Sequence, residues 1–460
     1  MERKAAHLAM ERQPTGNGAM DMRRGACPTL AAPMQTGDGL LVRLRPVRPG
    51  FSLSEIVVLA TAARRFGNGI LEVTARGNLQ IRGLFPETVP SLAAAIADAG
   101  IEISEGVAVE TPPLAGIDPT ELADPLALAA DLRAAIIAHR PRLVLAPKLS
   151  IVIDGGGRLH LGETSADIRL RAVRDGAAIL WLLGIAGTDR TAKPIATLTP
   201  DDVIPAVLDV LADLARLGCD ARGRDLQAES LIETIASGHA LRHPAPADIA
   251  PLPVGIHDCG RGGPILGLGL AFGQTDAEKL IALVVDLERL GAREIRLAPG
   301  HALLVPGLRD ADVAKAQAAA FAHGFRISPD DPGNHIAVCA GTGACASALL
   351  DTKAAARLFI ETAPELLDGS LTLHLSGCAK GCAKPSAATL TILGAPLGYG
   401  LVVNGPASAA PNAYIDQKTI QTAVARLGAL VRHNKHAGES ARSCLTRLGT
   451  DATIAAVQQG

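Results

Sequence analysis

The chain has 460 residues, 48% of them hydrophobic and 20% charged, with a formal net charge of −2 and a mean hydropathy of +0.25. That length exceeds what one core supports, so several globular domains are expected. Near-neutral charge and 2% aromatic residues argue against nucleic-acid partners, and no apolar run reaches the roughly 18–20 residues of a membrane helix.

In chain order, residues 1–22 read as a polar, disordered lead-in without the apolar stretch of a signal peptide. Residues 37–46 read as a turn and then a strand with basic side chains on one face. Ser52-Leu-Ser-Glu55 is a capping box, in which Ser52 and Glu55 satisfy each other's orphan N–H groups. The helix it opens runs to about residue 66 and stops at Gly67-Asn68-Gly69. Strands follow at 70–74 and 79–83, and strand period two turns Arg76, Asn78, Gln80 and Arg82 to one side as a polar stripe suited to a ligand.

A helix is expected over 124–138, then a strand over 143–153 broken at Pro147-Lys148. Asp154-Gly155-Gly156-Gly157 reads as a hairpin turn into a partner strand at 158–161, because no helix follows to make it a phosphate cradle. A helix spans 200–217, and the Pro-rich stretch 241–253 is a linker.

About 223 residues after the first β-α-β-β unit it is written again. A strand at 266–272, a second capping box Thr275-Asp-Ala-Glu278, a helix to 290, a strand at 294–297 and a strand ending at Val305-Pro-Gly-Leu308 repeat the order, with one residue inserted. Such units are too small to be stable singly and are expected to pack as one pseudo-symmetric domain. Helices at 313–323, 352–363 and 419–431 and strands at 371–375, 389–393 and 400–403 complete the second half, followed by a loose polar tail.

The chemistry gathers at Cys339-Ala-Gly-Thr-Gly-Ala-Cys345 and Cys378-Ala-Lys-Gly-Cys382, four of the eight cysteines within 44 residues. A C-x5-C…C-x3-C pattern invites an iron–sulfur cluster; the x5 spacing does not suit a zinc knuckle, although the second pair would. Gly341, Gly343, Gly377 and Gly381 surround the sulfurs and let bare N–H groups approach an anionic cluster. Cys27, Cys219, Cys259 and Cys444 read as buried or incidental thiols, and thiols without an export signal imply a reducing cytoplasm. Gly267-Leu-Gly269-Leu-Ala-Phe-Gly273 has the wrong spacing for a dinucleotide fingerprint, so no intrinsic nicotinamide or flavin domain is expected. His257, His301, His335 and His374 are each able to ligate a mononuclear iron, though each singly reads as structural. Lys380 and Lys384 either tune a cluster's charge or stay solvated.

The cysteine pattern in the second of two duplicated halves, with Thr74-Ala-Arg76-Gly-Asn78-Leu-Gln80-Ile-Arg82 in the first, resembles the nitrite and sulfite reductase superfamily. Arg24-Gly-Ala-Cys-Pro28, Met34-Gln-Thr-Gly-Asp-Gly39, Pro113-Leu-Ala-Gly-Ile-Asp118, Pro147-Lys148 and Ser376-Gly-Cys-Ala-Lys-Gly-Cys-Ala-Lys-Pro385 are similar more closely to the precorrin-3B synthase family within it. The resemblance covers roughly residues 23–435 and implies an α+β fold. Two ferredoxin-like half-domains (23–97 and 250–327) would pair as one domain, beside a first α/β domain (98–243), an iron–sulfur α/β domain (328–435) and a tail (436–460).

It further implies that Cys339, Cys345, Cys378 and Cys382 hold a 4Fe–4S cluster, with Cys382 the candidate bridge to a sirohaem iron. Arg76, Asn78, Gln80, Arg82 and Lys148 would bind the substrate or a tetrapyrrole. The implied activity is an O2-dependent monooxygenase acting on precorrin-3A in aerobic cobalamin biosynthesis. A separate reductase would relay electrons from NAD(P)H, and the second redox centre would be a mononuclear non-haem iron or sirohaem. Two cations of the reductase pattern are missing: Glu105-Gly-Val-Ala-Val-Glu-Thr111 holds no arginine, and Ser150 replaces a lysine. Losing them argues against sulfite or nitrite as substrate. A sirohaem-dependent sulfite or nitrite reductase and a non-catalytic iron–sulfur electron carrier are the alternative readings.

Overall fold

The computed structural model describes residues 28–235 and 245–458; the expected lead-in, the Arg24–Cys27 part of the resemblance and the start of the Pro-rich linker lie outside them. The first half runs β1 (Met34–Thr36), β2 (Gly39–Leu44), β3 (Gly50–Ser52), α1 (Leu53–Phe66), β4 (Ile70–Val73), β5 (Leu79–Leu84) and α2 (Val89–Asp98). It continues with β6 (Ala108–Glu110), α3 (Pro125–Ala138), β7 (Ser150–Asp154), β8 (Ala166–Asp175), β9 (Ala178–Gly187), β10 (Lys193–Leu198), α4 (Pro200–Leu217) and α5 (Ala228–Ile235).

The second half repeats the plan. It has β11 (Gly255–Asp258), β12 (Pro264–Gly269), β13 (Gln274–Asp276), α6 (Ala277–Arg289), β14 (Glu294–Ala298), β15 (Ala302–Val305) and α7 (Asp310–Ala322). Then come β16 (Ile336–Val338), α8 (Thr352–Thr362), β17 (Leu373–Ser376), β18 (Ala388–Ala395), β19 (Gly398–Gly405), β20 (Ala413–Ile415), α9 (Ile420–Asn434) and α10 (Ala441–Gln458).

The two small units exchange edge strands. β13 of the second half closes the sheet β1-β2-β5-β4-β13, and β3 of the first closes β11-β12-β15-β14-β3. Ser52 lies opposite Glu294 and Asp276 opposite Ile70, so one numerical shift carries the first pairing onto the second. One continuous core, including Leu59 and Ile81 from the first unit and Leu283 and Leu303 from the second, lies beneath both sheets. This is the pseudo-symmetric α+β duplication expected of units too small to bury a core alone.

The helix caps separate the copies. Ser52 accepts from the Glu55 N–H at 3.2 Å and Glu55 accepts from the Ser52 N–H at 2.7 Å, a complete capping box. In the second copy the expected Thr275/Glu278 box does not form: Asp276 is the cap, accepting from the Lys279 N–H at 2.9 Å. The inserted residue therefore falls before the helix.

The larger units are also copies. In β10-β9-β8-β7-β6 the members β6, β7 and β8 are parallel and the rest antiparallel, and β16-β17-β18-β19-β20 repeats that pattern in reverse listing. The expected hairpin at 154–161 is corrected by this topology. Both neighbours of β7 run parallel to it, so the chain leaving Asp154 must cross over instead of folding back. Asp154 shapes that exit by accepting from the N–H groups of Gly156 at 3.0 Å and Leu161 at 2.7 Å. The strand expected from residue 143 begins only at Ser150.

The tail is likewise corrected. α10 buries Cys444, Leu445 and Val457 in the core of the second α/β unit and is interrupted at Gly449, where φ is 84°. Cys259 is buried too, whereas Cys219 is exposed. Among the described residues, no helix is long and apolar enough to cross a membrane.

Candidate active site

A cavity of about 980 Å³ lies between the β2–β5 face of the first small unit, the loops around β6 and β7, and the cysteine loops of the second half. All nine residues expected at the site line it: Arg76, Asn78, Gln80, Arg82 and Lys148 from the first half, and the four cysteines from the second. Chain duplication explains the convergence, since the sheet of one half faces the strand ends of the other.

The basic side chains are not equivalent. Arg76 stands in the turn before β5 and presents its guanidinium to Glu110 on β6, with Nε 2.9 Å from Oε1 and 3.1 Å from Oε2, while Nη1 donates to the Ser165 carbonyl at 2.9 Å. Arg82 is only 4% exposed, because it is held in a carboxylate clasp. Its Nε and Nη2 donate to Asp38 at 3.0 and 2.9 Å, Nη1 to Glu72 at 3.0 Å, and Nη2 also to the Ala344 carbonyl at 2.8 Å. Burial pushes the Asp38 carboxyl up, but the Arg82 fork and the Thr36 hydroxyl outweigh it and hold it below the ordinary range.

Gln80 accepts from Arg43 Nε at 3.1 Å and Nη2 at 2.9 Å across the β2–β5 pair. Arg43 and Arg45 line the cavity and were legible as the basic face of the strand, yet alternation alone does not say what that face meets. Arg222 and Arg224 line it as well. They sit on a short 3-10 turn with no sequence signature; Asp167 fixes it by accepting from Arg222 Nε and from the Gly223 N–H, both at 2.9 Å.

The cysteines emerge where parallel strands end. Cys339 follows β16, and Cys378 and Cys382 follow β17. Cys339 Sγ accepts from the Gly377 N–H at 3.1 Å, and a Cβ on Gly377 would stand 3.4 Å from that sulfur. Burial pushes the Cys339 thiol up and outweighs the Gly377 and Gly341 N–H groups, which pull it down. Among the described residues no three His, Cys, Asp or Glu side chains gather tightly enough for a single ion.

The histidines divide. His301 lines the cavity and its Nδ1 lies 2.5 Å from the Val73 carbonyl oxygen; His257 Nε2 lies 2.9 Å from that of Pro253. Burial lowers His335, and pushes the wholly enclosed His374 down to about 4, so that its ring is neutral. Lys380 reaches Ser347 Oγ at 3.0 Å on the cavity wall.

Doubled ferredoxin-like units that share strands, with thiols at parallel strand ends, give the α+β fold expected of the nitrite/sulfite reductase type. A family model described as the nitrite/sulfite reductase ferredoxin-like half domain matches residues 32–99. The structure of the Mycobacterium tuberculosis NirA protein superposes with a TM-score of 0.73 at 17% identity, covering 90% of this chain and 84% of that one. A ferredoxin–nitrite reductase of Synechococcus elongatus is 25% identical over 76% of this chain and 78% of its own. A precorrin-3B synthase of a Sinorhizobium species is 55% identical over 95% of both chains. The chain belongs to the precorrin-3B synthase family, and so to a class of oxidoreductases.

Proposed function

We propose that this chain is a precorrin-3B synthase, an O2-dependent monooxygenase that converts precorrin-3A to precorrin-3B by hydroxylating C20 and closing an acetate arm into a γ-lactone. The 55% identity along 95% of the chain carries this reading. One oxygen atom enters the macrocycle and the other leaves as water, taking up two electrons and two protons. A separate reductase drawing on NAD(P)H supplies the electrons, and the site lies in a cytoplasmic enzyme of cobalamin biosynthesis.

Cys339, Cys345, Cys378 and Cys382 would hold a 4Fe–4S cluster, which passes single electrons when bound. Sirohaem beside Cys382, or a mononuclear iron, would be the second redox centre. The cavity's volume stands at the upper end of ligand pockets, as a tetrapyrrole requires. Arg43, Arg45, Lys148, Arg224 and Lys380 bring cations to its wall for acetate and propionate arms. Asn78 and Gln80 orient the ring edge, with Gln80 steadied by Arg43. Arg76 offers a small oxyanion little, because Glu110 already occupies its fork.

The test is anaerobic purification followed by incubation with precorrin-3A, a reductant and isotopically labelled O2. A product heavier by one labelled oxygen supports the proposal. Reduction of sulfite or nitrite with no oxygen incorporated into precorrin-3A overturns it in favour of the reductase reading.

A further inference from the structure

We propose that Arg82 is not a substrate cation but the positioning residue for the Cys345 loop, so that one half of the chain holds a cluster ligand of the other in place. The inference rests on the cluster assignment above.

Arg82 lies within β5 in the first half, and Nη2 donates at 2.8 Å to the carbonyl of Ala344, the residue before Cys345. The same guanidinium is locked from behind by Asp38 and Glu72, so it has little freedom to turn toward a ligand. Asp38 is itself steadied by Asn68 Nδ2 at 3.1 Å. A second observation is independent of the arginine. Gly37, next to Asp38, lies against the backbone of the same loop: a Cβ there would come 2.7 Å from Ala346 N and 2.8 Å from Cys345 N and C. No side chain fits without moving the cysteine. A third tie follows the loop, where Lys353 at the start of α8 bonds Gln274, the first residue of the exchanged strand β13.

The loop between Cys339 and α8 is thus fastened near Cys345 by Arg82 and Gly37, and at its far end by Lys353. The arginine's charge is balanced by two carboxylates, as a structural clasp requires; a substrate cation would be left to meet the substrate's anion. The Met34-to-Gly39 stretch then acts as a seat for the ligand loop across the interface between halves.

The experiment compares wild-type protein with Arg82→Met, Arg82→Lys, Gly37→Ala and, as a cavity-arginine control, Arg43→Met. Iron and acid-labile sulfide per chain and the electron paramagnetic resonance of the reduced cluster are read on reconstituted protein. The alkylation rate of Cys345, located by mass spectrometry, is read on iron-free protein. Arg82→Met and Gly37→Ala should lose about half or more of their iron and alkylate Cys345 about tenfold faster, with Arg82→Lys intermediate and Arg43→Met like wild type. Full iron, an unchanged spectrum and unchanged alkylation in both Arg82→Met and Gly37→Ala overturn the proposal. If Arg82→Met does not fold, Gly37→Ala decides alone. If wild-type protein takes up no iron the cluster assignment fails, and the alkylation rates still decide whether Arg82 holds the loop.

Discussion

The two α/β units share a strand order but use the same two strand ends for opposite purposes. In the first, the loop after β6 carries Asp118 and β7 ends on Asp154. Asp118 accepts from the N–H groups of Thr120 at 2.9 Å and Arg158 at 2.6 Å, and Asp154 from those of Gly156 and Leu161. In the second, the loops after β16 and β17 carry the four cysteines, which line the cavity. Carboxylates spent on backbone donors make a loop self-sufficient; under the proposed function the thiols would be kept for a cluster. Duplication supplied the frame twice, and the two copies present different side chains at the matching strand ends.

The sharpest way to break this contrast is Cys345→Ser, which, if the proposed cluster is right, should abolish its absorption and most of the iron; an intact cluster would remove the ligand assignment. Asp118→Ala should do the reverse. It removes the buried carboxylate that accepts from the Thr120 and Arg158 N–H groups and should lower stability by about 1–2 kcal/mol in urea unfolding, with iron content unchanged. Loss of iron in that variant would show that the two loop sets are not independent.

The units should also respond oppositely to pH. Burial pushes Glu121, beside Asp118 and Asp154, up to about 7. The folded state therefore binds the extra proton, so this contribution is whole below about pH 4.5 and is lost as pH rises through 7. Glu121→Gln should remove that loss and stabilise the protein by about 1–2 kcal/mol at pH 8, after allowance for partial exposure, with little effect near pH 4. Chemical denaturation across this range checks the sign.

Asp368 in the second unit is shifted the other way. Burial raises it, but Lys435 Nζ at 2.8 Å, the Ser370 hydroxyl and the Ala441 N–H at 2.8 Å outweigh burial and hold it well below the carboxylate range. Its contribution is present above about pH 4 and fades as pH falls further. Asp368→Asn should cost about 1 kcal/mol at neutral pH, with the smallest effect of the four, and loosen α10, read as faster amide exchange in residues 441–448.

Much of this was legible in local patterns. The Ser52/Glu55 box, the Gly67-Asn68-Gly69 stop and the repeated unit follow from spacing alone, as does the cysteine pattern. What escaped was non-local. Nothing within Gly50–Ser52 or Gln274–Asp276 tells that each pairs with the other half's sheet. The 154–161 turn looked like a hairpin because its glycines permit one, and only the parallel neighbours forbid it. α10 draws much of its apolar content from small alanines and breaks at Gly449, so its periodicity is weak until the surface it covers is known. Arg82 sat in a stripe with real ligand-facing character, yet its carboxylate partners, Asp38 and Glu72, come from other strands and loops.

The exchange of β3 and β13 bears on how the protein is made. While the ribosome is still synthesising the middle of the chain, the first sheet lacks its last strand, and β4 presents an open edge to whatever it meets. Maturation cannot proceed half by half: the N-terminal portion must wait for Gln274–Asp276 before its sheet closes. Once closed, the halves are stitched by two strands and a common core, so a cut in the Pro-rich linker should leave them bound. Halves expressed as separate chains should be insoluble alone and recover when made together.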